Sequence, residues 1–125
     1  TVYVRPTRPT HSLLAAHPEF TLNFLGESQR AAMDICGTKS GRSVDKWSLA
    51  GLDKVPSERV AVPRVGGATL SLECRVLATL DVDPACFLDP EIAELYPSRD
   101  YHRVFFGEVL VAWAADRFVA PRRAE

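Results

Sequence analysis

The stretch ATLSLECRVLATL, residues 68–80, carries the clearest strand pattern in the chain. Apolar and polar side chains alternate along it, which is the two-residue period of a strand with one face towards a core. We therefore expect the apolar side chains to be buried and the polar ones to face outward. The expected inward residues are Leu70, Leu72, Cys74 and Val76, and the expected outward residues are Ser71, Glu73 and Arg75.

Further strands and several short helices are predicted on both sides of this strand. Strands are expected at residues 1–5, 20–24 and 102–119, the last with a bulge or bend at Gly107. Helices are expected at residues 11–17 with Thr10 as the N-cap, at 27–35 ended by Gly37, at 44–49 ended by Gly51, and at 90–96. Strands joined by short helices favour a mainly β domain, either a small barrel or a sandwich.

Length and composition limit the classes of protein to consider. A chain of 125 residues with 46% hydrophobic residues is the size of one globular domain. Its formal net charge of −1 provides no basic surface for nucleic acid or an anionic membrane. The apolar runs are shorter than the roughly 18 residues of a membrane span, and residues 1–10 do not resemble a signal peptide.

The cysteines point to a reducing compartment. Cys36, Cys74 and Cys86 are odd in number and lack the CxxC spacing, so the sequence predicts a cytoplasmic protein without a disulfide framework and without a metal site. Cys74 is expected to be a small core residue. Trp47 and Trp113 are expected in the core or at a dimer interface, although either ring could stack on a ligand.

Two polar loops carry the chemistry needed to hold a phosphate. They are RPTRPT at residues 5–10 and SGRSVDK at residues 40–46, and each offers cations, hydroxyls and backbone N–H groups close to the start of a short helix. We expect the two loops to surround one phosphate. The alternative is that their arginine and serine side chains are merely solvated. Neither GxxxxGK[ST] nor GxGxxG occurs, so a P-loop and a Rossmann domain are not predicted.

Four segments in the same order resemble the flavin reductase-like family of FMN-binding split barrels, which includes flavoredoxin-type proteins. These segments cover nearly the whole chain: VYVRPTRPTHSLLAAHPEFTLNFL (2–25), CGTKSGRSVDKWSLAGL (36–52), VPRVGGATLSLECRV (62–76) and YHRVFFGEVL (101–110). The resemblance implies an FMN-binding split β-barrel with short flanking helices. It also implies a single domain over residues 1–125.

The resemblance further implies which residues bind the cofactor. The positions that match the family's flavin phosphate and ribityl contacts are Arg5, Thr10, Ser40, Gly41 and Lys46, with Arg8 as a less regular sixth position. His102 is a candidate hydrogen-bond partner of the flavin or the nicotinamide, and its alternative role is packing at the start of a strand. No catalytic acid or base is predicted, because the flavin supplies the reactive chemistry.

The activity implied by the resemblance is that of a flavin oxidoreductase. FMN is the expected cofactor, with FAD as the alternative, and NADH or NADPH is the expected hydride donor. Electrons would pass to free flavin, to a partner oxygenase or to another acceptor. Two alternatives remain at this point, namely an electron carrier without reductase turnover and a barrel that has lost its cofactor.

Two further expectations concern the ends and the assembly of the chain. The sequence opens at Thr1 with strand-like residues and its one methionine is Met33, so we expect residues upstream of Thr1. The family's upstream strands and the loop that contacts the isoalloxazine ring have no match here. A homodimer is expected, because the apolar residues of 102–119 exceed what one small barrel would bury.

Overall fold

The computed structural model describes residues 1–116. Six strands are present: β1 (Val2–Val4), β2 (Glu19–Phe24), β3 (Lys54–Val55), β4 (Arg64–Val65), β5 (Leu70–Asp81) and β6 (Arg103–Ala114). Four short helices connect them: α1 (Pro9–Ala16), α2 (Arg30–Thr38), α3 (Lys46–Ala50) and α4 (Glu91–Glu94). Single 3₁₀ turns occur at Glu27–Gln29 and Pro84–Cys86.

The strands form one four-stranded sheet and one small ribbon. The sheet order is β1-β6-β5-β2, and β1 pairs antiparallel with β6 so that Tyr3 lies opposite Val104. The ribbon joins β3 and β4 antiparallel, with Val55 opposite Arg64. The mainly β class with short helices, predicted from the sequence, is confirmed. No helix within residues 1–116 is long and apolar enough to cross a membrane.

The chain divides into two compact units, which we call unit 1 and unit 2. Unit 1 contains residues 1–19 and 75–108. Unit 2 contains residues 20–74 and the described residues from 109 onward. The core of unit 1 includes Leu14 from α1 together with Val104 and Phe105 from β6. The His11 ring meets Phe105 edge-on, with 6.0 Å between the ring centres, so α1 packs on β6.

Helix α1 begins two residues earlier than the sequence predicts. Pro9 is its first residue and Arg8 takes the N-cap position, so the predicted N-cap role of Thr10 is wrong. Proline suits this position because its fixed φ is helical and its missing N–H would have been unpaired there. Thr10 lies exposed on the first turn of the helix.

Helix α2 begins later and ends later than expected. Residues Glu27–Gln29 form a 3₁₀ turn, and α2 then runs from Arg30 through Gly37 to Thr38. Gly37 is therefore not the residue that ends the helix, as had been predicted. The Thr38 hydroxyl donates to the Asp34 carbonyl at 2.7 Å, which binds the last turn. By contrast, Gly51 ends α3 in the left-handed conformation with a φ of 62°, as predicted.

Two other predicted elements are longer than those observed. Helix α4 stops at Glu94, whereas residues 90–96 were expected to be helical. Strand β6 runs through Gly107 and stops at Ala114, and the backbone N–H of Ala115 donates to the Thr69 carbonyl. Residues 117–119 of the predicted strand lie outside the described residues. Glu108 is exposed and paired with Arg75 at 2.7 Å.

The predicted facing of β5 is wrong over its first half. Ser71 and Glu73 are 3% and 0% exposed, while Leu72 is only half-buried. Cys74 and Arg75 follow the prediction, with Cys74 buried and Arg75 exposed. The polar side chains are buried because partners satisfy them, and the Ser71 hydroxyl donates to Asn23 Oδ1 at 2.8 Å.

The Glu73 carboxylate is held by four neighbours within unit 2. It accepts the backbone N–H groups of Glu58 at 3.0 Å and Arg59 at 2.7 Å, and the Trp113 indole N–H at 2.7 Å. Arg64 Nε lies 3.4 Å from Glu73 Oε1, and its guanidinium lies 4.2 Å from the centre of the Trp113 ring. The carboxylate thus anchors residues 56–63, which we call the ribbon loop because they join β3 to β4.

These contacts determine the ionisation of Glu73. Burial alone would raise the pKa of the carboxyl, but the N–H donors of Glu58, Arg59 and Trp113, together with the Arg64 charge, outweigh it. The net pKa lies below the ordinary value of a glutamate, so Glu73 is a buried anion at neutral pH.

We predict that Glu73→Ala destabilises the protein by about 3 to 5 kcal/mol, because it leaves the mostly buried Arg64 charge, two backbone donors and the Trp113 indole N–H without their acceptor. Arg75→Ala, in the exposed pair with Glu108, should change the free energy of unfolding by less than about 1 kcal/mol. Urea unfolding of both variants measures the difference. Equal losses in the two variants would contradict the structural role of Glu73.

The same site gives a pH dependence of known sign. A carboxyl whose pKa is lowered in the folded state contributes stability above its unfolded pKa, and this contribution is lost as the pH falls through the lowered value. We expect the unfolding free energy to fall more steeply with acid in the natural protein than in Glu73→Gln. Parallel pH profiles would show that Glu73 does not contribute.

Candidate functional site

The first polar loop, residues 5–10, is a tight turn between β1 and α1. The backbone N–H of Arg8 donates to the Arg5 carbonyl at 2.9 Å, and the N–H of His11 donates to the Arg8 carbonyl at 3.0 Å. The side chains of Arg8 and Thr10 are exposed, whereas Arg5 is half-buried. The loop therefore has a fixed backbone that presents the exposed side chains of Thr7, Arg8 and Thr10, together with the Arg5 guanidinium, which is held against the rest of unit 1.

The Arg5 guanidinium is held by the segment that precedes β6. Its Nη1 donates to Asp100 Oδ1 at 3.1 Å and its Nη2 donates to the Leu95 carbonyl at 2.8 Å. The guanidinium carbon lies 4.5 Å from the centre of the Tyr96 ring. The second oxygen of Asp100 accepts the Thr7 hydroxyl at 2.8 Å. We call this arrangement of Arg5, Thr7 and Asp100 the Asp100 clamp.

Asp100 is ionised at neutral pH. The Thr7 hydroxyl bond lowers the pKa of its carboxyl most, partial burial opposes this, and the Arg5 charge lowers the pKa further. A fixed negative charge therefore lies beside the Arg5 cation within the described structure.

His102 belongs to an aromatic cluster in unit 1. Its Nδ1 lies 2.6 Å from the Tyr96 hydroxyl, and which of the two atoms carries the proton depends on the histidine tautomer. Phe87 stacks on Tyr96 and meets Tyr101 edge-on. Tyr96 thus touches Arg5 with its ring and His102 with its hydroxyl. Because Nδ1 is engaged, a ligand would meet His102 on the Nε2 side of the ring.

The second polar loop, residues 40–46, is organised by Ser40 in unit 2. Its carbonyl accepts the backbone N–H groups of Ser43 and Val44 at 3.1 and 3.2 Å, and its hydroxyl accepts the N–H of Arg42 at 3.2 Å. A side-chain carbon added at Gly41 would meet the Lys46 stem at 3.9 Å, an ordinary contact. Neither crowding nor a positive φ requires a glycine at this position in the ligand-free chain.

The two residues at the end of this loop attach it to neighbouring helices. Asp45 caps α3, because its carboxylate accepts the Trp47 backbone N–H at 3.0 Å and the Ser48 hydroxyl at 2.8 Å. Lys46 Nζ donates to the Cys36 carbonyl in the last turn of α2 at 2.6 Å. Lys46 therefore holds the loop against α2, as well as carrying a charge.

The predicted binding residues are thus divided between the two units. Unit 1 holds Arg5, Arg8, Thr10 and His102, and unit 2 holds Ser40, Gly41 and Lys46. In the structure, Arg5 and His102 both contact Tyr96. Within residues 40–46 it places Ser40, Gly41 and Lys46 in one loop.

Sequence reasoning did not identify Asp100 and Tyr96 as partners of the first loop. Asp100 lies 95 residues from Arg5 along the chain, and no spacing or periodicity relates the two. The one local signal is the polar YPSRD segment before β6, in which Arg99 has a φ of 52°. Among residues 1–116, no group of three or more His, Cys, Asp or Glu side chains is arranged to hold a metal ion.

The comparison with known families matches the flavin reductase like domain to residues 1–121. A relative in Pyrococcus abyssi, an uncharacterised protein, is 31% identical over 111 residues, which are 87% of this chain and 52% of the relative. The flavoredoxin of Methanosarcina acetivorans is 27% identical with a TM-score of 0.72, over 95% of this chain and 54% of that one. The FMN-binding protein of Thermus thermophilus is 25% identical with a TM-score of 0.68, over 92% of this chain and 54% of that one.

These similarities agree with the predicted fold, and each of them covers only part of the related protein. The flavoredoxin-type fold confirms the predicted split β-barrel with short flanking helices. The chain spans about half the length of the proteins that it matches. On the match of the family over residues 1–121, the chain belongs to the flavin reductase-like family.

Proposed function

We propose that this chain is part of an FMN-binding oxidoreductase that accepts a hydride from NADH or NADPH and passes electrons to an acceptor. The observation that carries the proposal is the family match over residues 1–121. Similarity to a protein described as FMN-binding supports FMN, with FAD as the alternative cofactor. The flavin would supply the hydride and electron chemistry, so no acid or base of the chain is required.

The polar loops fit the phosphate-bearing part of such a cofactor. In the first loop, the guanidinium groups of Arg5 and Arg8 and the hydroxyl of Thr10 are suitable donors to phosphate oxygens. In the second loop, we assign the same role to the Ser40 hydroxyl, the Gly41 backbone N–H and the Lys46 ammonium. Fixed backbone turns support both assignments, because a donor already held in place loses less entropy when it binds.

His102 is proposed to contact the flavin or the nicotinamide through Nε2. The 2.6 Å contact between Tyr96 and Nδ1 supports this role, because it fixes the ring and leaves the opposite nitrogen as the one for a ligand. The alternative remains that His102 only packs in the aromatic cluster.

The acceptor of the electrons is proposed to be free flavin, a partner oxygenase or another electron-accepting protein. An electron carrier without turnover of its own and a barrel without cofactor are the competing hypotheses. A yellow protein with flavin absorbance would exclude a barrel that has lost its cofactor.

We predict that Arg5→Ala weakens FMN binding about ten- to a hundredfold, because a charge-assisted hydrogen bond contributes about 1.5 to 3 kcal/mol. Arg8→Ala should weaken it in the same direction. Fluorescence titration of the flavin-free protein with FMN measures both dissociation constants. Arg75→Ala is the matched control, because it also removes an arginine of unit 1, one that is paired at the surface with Glu108.

Lys46→Ala tests the second loop, and the Cys36 contact requires that its folding be checked. Loss of the 2.6 Å bond to Cys36 would loosen the loop even without a flavin, so thermal unfolding is measured alongside the titration. An unchanged FMN dissociation constant in both Arg5→Ala and Lys46→Ala would refute the assignment of the phosphate site.

We predict that the protein oxidises NADH or NADPH in the presence of FMN. Steady-state loss of reduced-nicotinamide absorbance measures this turnover, and rates with each nucleotide identify the donor. A flavin-loaded protein that turns over neither nucleotide would instead be an electron carrier.

We also propose that the working unit is a homodimer. Val109 and Trp113, which lie on the same face of β6, are 52% and 39% exposed, and they offer an apolar surface that a second copy of the chain would cover. Light scattering should then give a mass near twice 13.8 kDa. A monodisperse monomer that binds FMN stoichiometrically would contradict the proposal.

A further inference from the structure

We propose that Asp100 is a positioning residue that sets the affinity of the first polar loop for the phosphate of the cofactor, acting through Arg5. This inference rests on the proposed function, since it names how one residue of that site is held. It assigns to the segment before β6 a role in recognising the phosphate-bearing form of the flavin.

The geometry of the Asp100 clamp immobilises Arg5. One carboxylate oxygen accepts Arg5 Nη1 and the other accepts the Thr7 hydroxyl, so Asp100 joins two residues of the same loop. The Leu95 carbonyl takes Nη2, and the Tyr96 ring covers the face of the guanidinium. An arginine side chain is long and flexible, and contacts from three directions restrict it to one orientation.

The Asp100 clamp is less exposed to solvent than the Asp81–Arg103 ion pair of the same unit. The Asp100 side chain is 11% exposed, whereas Asp81, which binds Arg103 through both of its oxygens, is 66% exposed. Both carboxylates belong to unit 1, and both pair with an arginine at hydrogen-bond distance. The Asp81 pair is bidentate and shorter, but water and salt screen it more than they screen the less exposed Asp100 contact.

The backbone that carries Asp100 is also held in an unfavourable conformation. Arg99 has a φ of 52°, and its N–H closes a turn on the Tyr96 carbonyl at 2.9 Å. A left-handed conformation is unfavourable for a residue with a side chain, so the surrounding contacts must maintain it. This turn places the Tyr96 ring against the flat face of the Arg5 guanidinium and the Asp100 carboxylate at the edge of the guanidinium.

The number of N–H donors on Arg5 indicates that Asp100 positions the guanidinium and does not compete with a phosphate for it. A guanidinium has five N–H groups, and the contacts to Asp100 and Leu95 use one on each terminal nitrogen. Arg5 can therefore donate to a phosphate without leaving Asp100. Removing the carboxylate frees the side chain and adds the entropy of ordering it to the cost of binding.

The test compares FMN with riboflavin, which has the same ring system and no phosphate. We expect Asp100→Ala to weaken FMN binding about tenfold and to leave riboflavin binding unchanged, because only the phosphate contact is lost. Asp100→Asn should have a smaller effect, since its amide oxygen still accepts a hydrogen bond. Asp81→Ala, which removes the exposed carboxylate beside Arg103, is the matched control and should bind both flavins as the natural protein does.

A double-mutant comparison tests whether Asp100 acts through Arg5. In the Arg5→Ala background, Asp100→Ala should cause no further loss of FMN affinity. An independent and equal loss in that background would overturn the inference, as would tighter FMN binding in Asp100→Ala or an equal loss for riboflavin. Should Asp100→Ala fail to fold, Thr7→Val loosens the same carboxylate, and unchanged FMN binding in both Thr7→Val and Asp100→Asn would also overturn the inference.

The outcomes separate this inference from the proposed function. A natural protein that binds no flavin overturns both. A natural protein whose FMN binding is weakened by Arg5→Ala but not by Asp100→Ala keeps the proposed function and overturns only the role of Asp100.

Discussion

The Glu73 carboxylate is fully shielded from solvent, and a buried anion is tolerated only where donors and a counter-charge surround it. Here the donors come from the ribbon loop and from Trp113 on β6, and the counter-charge comes from Arg64 at the start of β4. One side chain of β5 therefore fixes three other parts of unit 2. The arrangement explains how Ser71 and Glu73 can be covered more completely than Leu70 and Leu72 on the other face of β5.

Unit 1 uses the same chemistry in a more exposed setting. Arg5 and Asp100 form an ion pair, but Arg5 remains 27% exposed and carries further donors. A pair whose carboxylate is fully buried holds the fold, whereas a pair whose arginine is more exposed holds a cation in place and leaves it able to bind an anion. The difference in burial separates the structural role that we assign to Glu73 from the binding role that we propose for Arg5.

The second polar loop shows that a binding residue can also support the fold. Lys46 is a proposed phosphate ligand, yet its ammonium already binds the Cys36 carbonyl at the end of α2. The carbonyls of a last helical turn attract cations, so this contact stabilises both the helix end and the loop. A phosphate arriving at Lys46 would meet an ammonium that is already oriented by α2.

The sequence by itself determined the mainly β class, the short helices, the left-handed Gly51, the buried Cys74 and the two polar loops, because these follow from local periodicity and residue chemistry. It misplaced Glu73 because alternation assigns a charged residue to the outward face, and only residues 14 and 15 positions earlier and 40 positions later provide the donors that allow burial. It missed Asp100 for the same reason, since its partner Arg5 lies 95 residues away. Contacts between distant segments form only when the chain has folded, so the partners of Glu73 and Arg5 were decided by the tertiary structure alone.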